Sequence, residues 1–592
     1  MKKFNIAMLL CDFYKVGHKP QYPVGTEVIY STWIPRSNKY YPRADKVVTF
    51  YIQGFMKELI EFFNENFFNR PKADIIAEYK RLLTHTLGKE PDTEHIEELH
   101  DLGYLPIKVM ALPEGTLAPI KTPMMTIENT DKRFFWITNY LETLISNMIW
   151  QPMTSATIAY TYRKLLDEYA MKTVGNTDGV AFQGHDFSMR GMGGFDASMS
   201  SGAGHLLSFT GTDTIPAISY LEKYYNADVT KELVGASIPA TEHSVMSANT
   251  DAESRDEYET FKRLITEVYP DGFVSIVSDT YDFWKVVGEV LPKLKETILA
   301  RDGKVVIRPD SGDPVEIICG KDYDANDLRE IESKDIDELL IEEDGIFHER
   351  INKKDNKKLY TELRDITWDL WRDSTKGDRD EGDSNFEFMV KSTDGKLYKV
   401  EADILNYEYY ETTTMGEVSF WVEKMNTLEA KGLIEALWDL FGGTITDKGY
   451  KLLDSHIGAI YGDSITIDRA EAIVKGLEAK GFASTNIVLG IGSYTYQCNT
   501  RDTLGFAMKA TYMIKNGEEH MLFKDPKTDD GTKRSLRGKV HVSQTVDGIK
   551  FVDGLTSKVH VKGINLLQTV FKDGKLLRDE SLSEIRARLA QG

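Results

Sequence analysis

The chain has 592 residues, 41% of them hydrophobic and 11% aromatic, enough for a large core and too many for one simple domain. Its 28% charged content is an ordinary globular profile and excludes a disordered polymer. A formal net charge of −21 repels nucleic acid and anionic membrane, so neither is expected as a partner, while small anions remain acceptable where cations cluster.

The opening stretch MKKFNIAMLLCDFYK has two lysines and a short apolar run. Asp12 interrupts that run, no small-residue cleavage site follows, and no stretch of the chain reaches the roughly 20 apolar residues of a membrane span. Three cysteines, Cys11, Cys319 and Cys498, form no C-x-x-C pair and no disulfide framework, which fits a reducing compartment. The expectation is a soluble, cytoplasmic chain.

Up to about residue 150, short strand-like runs mix with helices; FYIQGFMKELIEFFNENFF (50–68) and FFWITNYLETLISNMIW (134–150) place apolar residues at helical spacing. The rhythm then changes. Apolar runs end in Gly, Asp, Ser or charged residues in VAFQGHDFSMRG (180–191), FVSIVSDTYD (273–282), KVVIRPDSGD (304–313), IGAIYGDSITID (457–468) and NIVLGIGSYTY (486–496). Helical patterns such as AISYLEKYYN (217–226) and RAEAIVKGLEAKG (469–481) lie between them. Apolar strands alternating with helices predict a parallel sheet covered on both faces, and so many polar strand tips favour a β/α barrel over an open sheet. Barrel enzymes gather their chemistry at the C-terminal ends of the strands.

Residues 321–440 break this rhythm. An acidic opening, DYDANDLREIESKDIDELLIEEDG, gives way to the alternating runs FEFMVKSTDGKLYKVEADI and EVSFWVEKM, with Asp394-Gly395 as a hairpin turn. The segment reads as an inserted acidic, β-rich module. Residues 510–592 read as strands and turns followed by a terminal helix.

The strand tips hold the candidate chemistry. GHDFSMRG presents His185, Asp186, Phe187 and Arg190 in one turn, the pattern of a reactive pocket or equally of a buried aromatic beside a satisfied Asp–Arg pair. FTGTDTIPAISYLEKYY puts Asp213 just before a helix, where Thr212, Asp213 or Thr214 can cap it, with Pro216 in the first turn. SIPATEHSVMSA places Glu242 and His243 near another helix start. VVIRPDSGDP delivers Arg308 and Asp310 together at a strand tip, although Pro, Asp, Ser and Gly are also plain turn formers. IYGDS (Gly462, Asp463) and LGIGS (Gly490, Gly492) put glycine directly after an apolar strand, where a backbone can approach a phosphate. Thr495 stands where G-x-G-x-x-G needs its last glycine, which disfavours a dinucleotide fold. Cations concentrate in NTRDTLGFAMKATY (Arg501, Lys509) and FKDPKTDDGTKRSLRGK (Lys524, Lys533, Arg534, Arg537, Lys539), as in a pyrophosphate site or a solvated basic loop.

In order, CDFYKVGH…QYP, HDF..RG, GTDT, P-A-x-E-H-S, VSD-x-YD, IRPDSG-x-P, GD, TRD and FKDP…KRS resemble the nicotinate/nicotinamide phosphoribosyltransferase family, over nearly the whole chain except 321–440. The resemblance implies an α/β protein: an irregular β/α barrel of the type II phosphoribosyltransferase kind (151–320 and 441–509) with an α/β cap (1–150 and 510–592). It implies a homodimer with active sites shared across the interface. The implied reaction joins nicotinamide to phosphoribosyl pyrophosphate, giving nicotinamide mononucleotide and pyrophosphate, with Mg²⁺, in NAD salvage, and couples it to ATP hydrolysis.

Residue by residue, the resemblance implies that Phe187 stacks on the pyridine ring and that Tyr14 closes its other side from the partner subunit. Asp213 would accept the carboxamide N–H and repel the carboxylate of nicotinate. Arg190 and Arg308 would line the base and ribose site, and Asp310 would hold the ribose hydroxyls. Gly462, Asp463, Gly490 and Gly492 match turns around the ribose and its 5′-phosphate. Arg36, Arg501 and Lys509, with Arg190, Lys524 and Lys533, match cations that hold pyrophosphate. His243 matches a histidine transiently phosphorylated by ATP. No protein ligand set is implied for Mg²⁺, which would ride on the pyrophosphate.

Ser464, Ser493 and Ala507 depart from the family pattern, the first two where glycine and the last where serine is expected. Nicotinate phosphoribosyltransferase is the same-fold alternative, and Asp213 argues against it. A non-catalytic interaction protein is the alternative from another class; the intact set Phe187, Asp213, His243, Arg308 and Asp310 argues against that.

Overall fold

The Val- and Ile-rich runs fold as short parallel strands, and the alternating runs fold as antiparallel ones. The computed structural model describes residues 6–251, 253–321, 329–331, 342–343, 346–351, 357–375, 385–393, 396–410, 413–425, 427–462, 465–528 and 534–592. They form two units. The first comprises Met1–Ile238, Gly462–Glu471 and Val488–Gly592, the second Pro239–Tyr461 and Ala472–Ile487.

The first unit holds a seven-stranded antiparallel sheet. Its order is Glu518–Met521, Phe506–Lys515, Thr26–Pro35, Met125–Asn129, Ile107–Ala111, Gln568–Lys572, Lys575–Leu576. Trp33 and Phe506, on neighbouring strands of the sheet, stack with centroids 5.2 Å apart. Burying side chains of this size contributes about 1.5–3 kcal/mol each. The apolar stripe from residue 52 makes the helix Ile52–Phe63, packed into the same core. The helix expected over 134–150 runs on instead as Glu142–Thr173, passing through Pro152. Small and hydroxylated residues beyond it (Thr154, Ser155, Ala156, Thr157) stay buried, and Thr154 and Thr157 return hydrogen bonds to carbonyls four residues back, so the stripe does not end at the proline.

The same unit contains three parallel strands: Gly211–Thr212 beside Gly184–Asp186, and that beside Ile487–Ile491. Their registers set His185 between Gly211 and Gly490, and Asp186 between Thr212 and Ile491. In the second unit, Val274–Val277 pairs in parallel with Val305–Arg308, which pairs with Ile457–Tyr461. Val274, Ile276, Val305, Ile307 and Ile457 are buried, as continuous apolar strands require.

Residues 329–424 supply a second sheet in that unit, ordered Arg329–Ile331, Asn385–Ser392, Leu397–Tyr410, Thr413–Lys424, Ile346–Ile351, Glu342–Glu343. Alternation does the work here. Phe388, Val390, Tyr398, Val400, Phe420 and Val422 face inward against Leu359, Leu363 and Trp371 of the helix Lys357–Thr375. Lys399 bridges Glu387 and Glu401 at 3.0 Å on the other face. The expected Asp394-Gly395 turn lies outside the described residues, while the strands on either side pair antiparallel from Lys391 opposite Leu397. No helix among the described residues is long and apolar enough to cross a membrane.

Candidate active site

In the first unit, the tip of Gly184–Asp186 turns sharply because the buried Asp186 carboxylate accepts the Ser188 N–H at 2.9 Å. The Phe187 N–H donates to Ile491 O at 3.0 Å, which anchors the half-buried aromatic over the neighbouring strand end. The His185 ring lies 4.5 Å from the Phe187 ring, tilted by 38°. Asp213 does not cap the helix Ile215–Tyr224. That helix has Thr214 at its N-cap without a side-chain bond, and Asp213 Oδ1 instead accepts His185 Nε2–H at 2.9 Å and the Ser237 hydroxyl at 2.6 Å. Arg190 stands exposed in the turn Met189–Gly191.

A buried histidine backs this tip. His205 Nε2 donates to Gly211 O at 3.0 Å, so its Nδ1 accepts from Tyr496 Oη at 2.7 Å. Burial pulls its pKa down to about 4, and the ring is neutral at physiological pH.

The two glycine turns differ in use. Gly490 lies within its strand, buried opposite His185, whereas Gly492 sits at the tip ahead of the short helix Ser493–Gln497. Ser493 fills space over Gly191, where an added Cβ would come within 2.1 Å of its Oγ. Thr495 Oγ1 donates to Ile465 O at 3.2 Å, tying this turn to the segment that follows Gly462. Asp463 and Ser464 lie outside the described residues, as does Lys533.

Tyr14 and Arg501 line a cavity of about 340 Å³ together with Asp12, Glu142, Thr143 and Thr500. The Tyr14 hydroxyl donates to Asp12 at 3.1 Å, yet the ring is 61% exposed. Glu142 is shared between buried Lys15 at 2.7 Å and Lys509 at 3.4 Å. Burial lowers the Lys509 pKa, Glu142 opposes this, and like-charge repulsion from Arg36 and Arg501 adds to the lowering. Such a cluster is relieved by an anion. Arg36 follows directly on the strand Thr26–Pro35, and its Nε holds Gly505 O at 2.9 Å. It also lines a cavity of about 320 Å³ with Lys121, Phe523, Arg534 and Arg537. Lys524 is exposed, its N–H bonded to Ser535 Oγ at 2.8 Å. Ala507 is buried opposite Ile34 in the sheet.

The second unit gathers His243, Arg308 and Asp310. The turn after Val305–Arg308 divides its labour: Asp313 caps the helix Pro314–Cys319 by accepting Val315 N–H at 2.9 Å and Glu316 N–H at 3.2 Å. Asp310 is thereby spared that duty. Arg308 Nη2 donates to Thr241 O at 2.6 Å and its Nε lies 3.6 Å from Asp310 Oδ1. His243 Nδ1 is 3.1 Å from Thr280 Oγ1, and its Nε2 is 3.9 Å from Asp279 Oδ1 and 4.0 Å from Asp310 Oδ2. Asp279 is the organiser. Its Oδ2 accepts the Asp310 N–H at 2.9 Å and the Ser311 hydroxyl at 2.5 Å, while Oδ1, in a side chain 4% exposed, has no hydrogen-bond partner among the described residues and faces the histidine. Nearby, burial and then the charges of Asp279, Asp282 and Asp256 push buried Glu257 up to about 7, against Lys285.

The sequence model of the nicotinate phosphoribosyltransferase (NAPRTase) family matches residues 182–358 and 422–575, which contain both strand-tip clusters. A relative from Acinetobacter baylyi, named nicotinamide phosphoribosyltransferase, is 43% identical over 592 residues, 98% of this chain and 96% of its own. The chain belongs to the nicotinate phosphoribosyltransferase family. Relatives of the same name from Mycoplasma pneumoniae and Xanthomonas campestris pv. campestris are 30% and 26% identical, over 90% and 99% of this chain and 94% and 98% of theirs. The two family-matched stretches leave 359–421 between them.

Sequence reasoning about this phosphoribosyltransferase-family chain left His185, Ser237, Thr241 and Asp279 without roles. Asp279 and His185 stand inside the quoted motifs VSD-x-YD and GHDF, and that position was the available signal. Ser237 and Thr241 stand inside the quoted stretch SIPATEHSVMSA as well, but one hydroxyl and one carbonyl become informative only when a folded loop aims them.

Proposed function

We propose that the chain is a nicotinamide phosphoribosyltransferase, making nicotinamide mononucleotide and pyrophosphate from nicotinamide and phosphoribosyl pyrophosphate in NAD salvage. The observation that carries this reading is Asp213, fixed by two donors on one oxygen beside the His185–Phe187 ring pair. The pyridine nitrogen attacks C1 of the ribose. The C1–N bond forms while the C1–O bond breaks, and the bonding pair leaves with pyrophosphate. The ring becomes a pyridinium, which the Phe187 face stabilises, and no proton moves.

Asp310, with Arg308 aimed beside it, holds the ribose hydroxyls; Arg308 and Arg190 complete the base and ribose contacts. Gly462, Asp463, Gly490 and Gly492 serve the ribose and its 5′-phosphate, with Gly492 at the strand tip and Gly490 in the strand behind it. Arg36, Arg501 and Lys509, with Lys524 and Lys533, receive the leaving pyrophosphate. Rate comes from positioning and charge complementarity rather than covalent chemistry on the sugar. Mg²⁺ would be carried by the substrate's phosphates and would supply charge neutralisation beside Arg36, Arg501 and Lys509.

His243 couples ATP hydrolysis to product formation. A ring nitrogen attacks the terminal phosphorus, the P–N bond forms as the P–O bond to ADP breaks, and the imidazolium so formed faces Asp279 and Asp310. Tyr14, an exposed aromatic beside the half-exposed Phe13, suits a ring that closes a partner subunit's site in a homodimer. We read 321–440 as an inserted module on a barrel (151–320, 441–509) and cap (1–150, 510–592) plan, supported by its separate sheet and core. We place the enzyme in the cytoplasm.

The test mixes the chain with phosphoribosyl pyrophosphate, Mg²⁺ and either nicotinamide or nicotinate, with and without ATP. Mononucleotide from nicotinamide, raised by ATP, is expected. Product from nicotinate alone overturns the substrate assignment, and no product from either overturns the function.

A further inference from the structure

An acidic side chain can reject a carboxylate and accept an amide only if it stays ionised and keeps its aim. Asp213 is 44% exposed, so burial does not fix it. Two donors do, and both meet the same atom: His185 Nε2–H at 2.9 Å and Ser237 Oγ–H at 2.6 Å, each on Oδ1. Two donors from different segments remove the freedom of the carboxylate to swing.

Both donors are themselves held. The His185 ring lies against the backbone of Gly211, where an added Cβ would fall 2.8 Å from Nδ1, and on its other side it meets Phe187. The loop that carries Ser237 is tied at Ala236, whose N–H donates to Thr210 O at 2.7 Å and whose carbonyl accepts Thr212 N–H at 2.9 Å. Arg586 of the C-terminal helix Leu582–Ala590 fastens the start of that loop. It donates to Leu233 O at 2.8 Å and Val234 O at 2.7 Å, while its Nε holds Leu206 O at 2.8 Å. Rigid donors on rigid supports are what a discriminating site needs.

We propose that His185 and Ser237 are positioning residues that set the preference for a neutral carboxamide over a carboxylate by clamping Oδ1 of Asp213. This rests on the nicotinamide reading above. Neither residue makes or breaks a bond in the reaction.

The experiment measures kcat/KM for nicotinamide and for nicotinate with the full chain and with S237A, S237T, H185Q and D213N, plus S237A combined with D213N. Ser237 is exposed, so S237A keeps the fold, and thermal melts check H185Q. S237A is expected to lower the nicotinamide-to-nicotinate ratio about tenfold, as for loss of one charge-assisted hydrogen bond, mainly through KM. S237T, which keeps the hydroxyl, restores it. In the D213N background, S237A changes the ratio no further, which a merely structural serine would not show. A ratio unchanged within twofold in both S237A and a folded H185Q overturns the clamp while leaving the function intact. A wild type without nicotinamide turnover overturns the function and the clamp together.

Discussion

Asp213 and Glu257 show how far a carboxyl's neighbours decide its use. On the proposed role of Asp213, replacing it by Asn keeps an amide acceptor but removes the charge proposed to reject nicotinate, so the nicotinamide preference is expected to fall roughly ten- to a hundredfold in competing-substrate assays. Glu257, held up to about 7, is protonated in mildly acidic buffer. Above that it ionises beside Asp279, and under the proposed ATP coupling it would add repulsion against a phosphoryl group on His243. Stimulation by ATP should therefore decline between about pH 6 and 8 in the wild type and stay flat in Glu257→Gln, read as product formed with and without ATP. Residues at this scale were legible where the motif was compact. Arg308 and Asp310 stood out as a pair in the sequence, and the helix that follows them is capped by Asp313 rather than by either. Asp213 had looked equally suited to capping a helix, and only the folded positions of His185 and Ser237 show its side chain employed elsewhere.

Elements were easier to read than their partners. The parallel strands Val274–Val277, Val305–Arg308, Ile457–Tyr461 and Ile487–Ile491 appear where an apolar, mostly β-branched run meets a polar tip, because such runs have little choice but burial on both faces. The run expected from Val180 instead opens as the short turn Val180–Phe182, with only Gly184–Asp186 in the sheet. What the sequence could not reveal is which distant strand lies beside which, since register is set by packing between runs of nearly equal apolarity. The C-terminal helix was foreseen as a helix, but its task was not. Arg586 bonds three carbonyls outside its own helix, and only a planar fork reaches all of them. Arg586→Lys should cost about 2–3 kcal/mol in urea unfolding, since carbonyls lose a charged partner. It should also raise the KM for nicotinamide more than that for phosphoribosyl pyrophosphate, because the Ser237 loop loosens.

At the scale of the whole chain, one buried acid links stability to pH. Glu114 is fully buried, accepting Gln53 N–H at 2.6 Å and Tyr51 N–H at 3.2 Å, and its own N–H donates to Glu580, which pairs with Arg588 at 2.6 Å. Burial first, and then the charge of Glu580, push Glu114 up to about 7 from 4.5. The folded state therefore binds this proton more tightly than the unfolded one. Its contribution is fully present below about pH 4.5 and is lost as pH rises through 7, on the order of 3 kcal/mol for a shift of that size. Urea midpoints should fall between pH 5.5 and 8, and Glu114→Gln should flatten that slope. The chain's order of synthesis meets another feature here. The bond from His205 to Tyr496 spans 291 residues, and Gly490 must arrive before the strand of His185 has its inner neighbour. A ribosome releases these partners far apart in time. The strand tip at His185 and Phe187 is thus among the last parts of a nascent chain to assemble, and if it holds the base as proposed, a polypeptide halted at residue 480 should bind no nicotinamide, however well its earlier segments have folded.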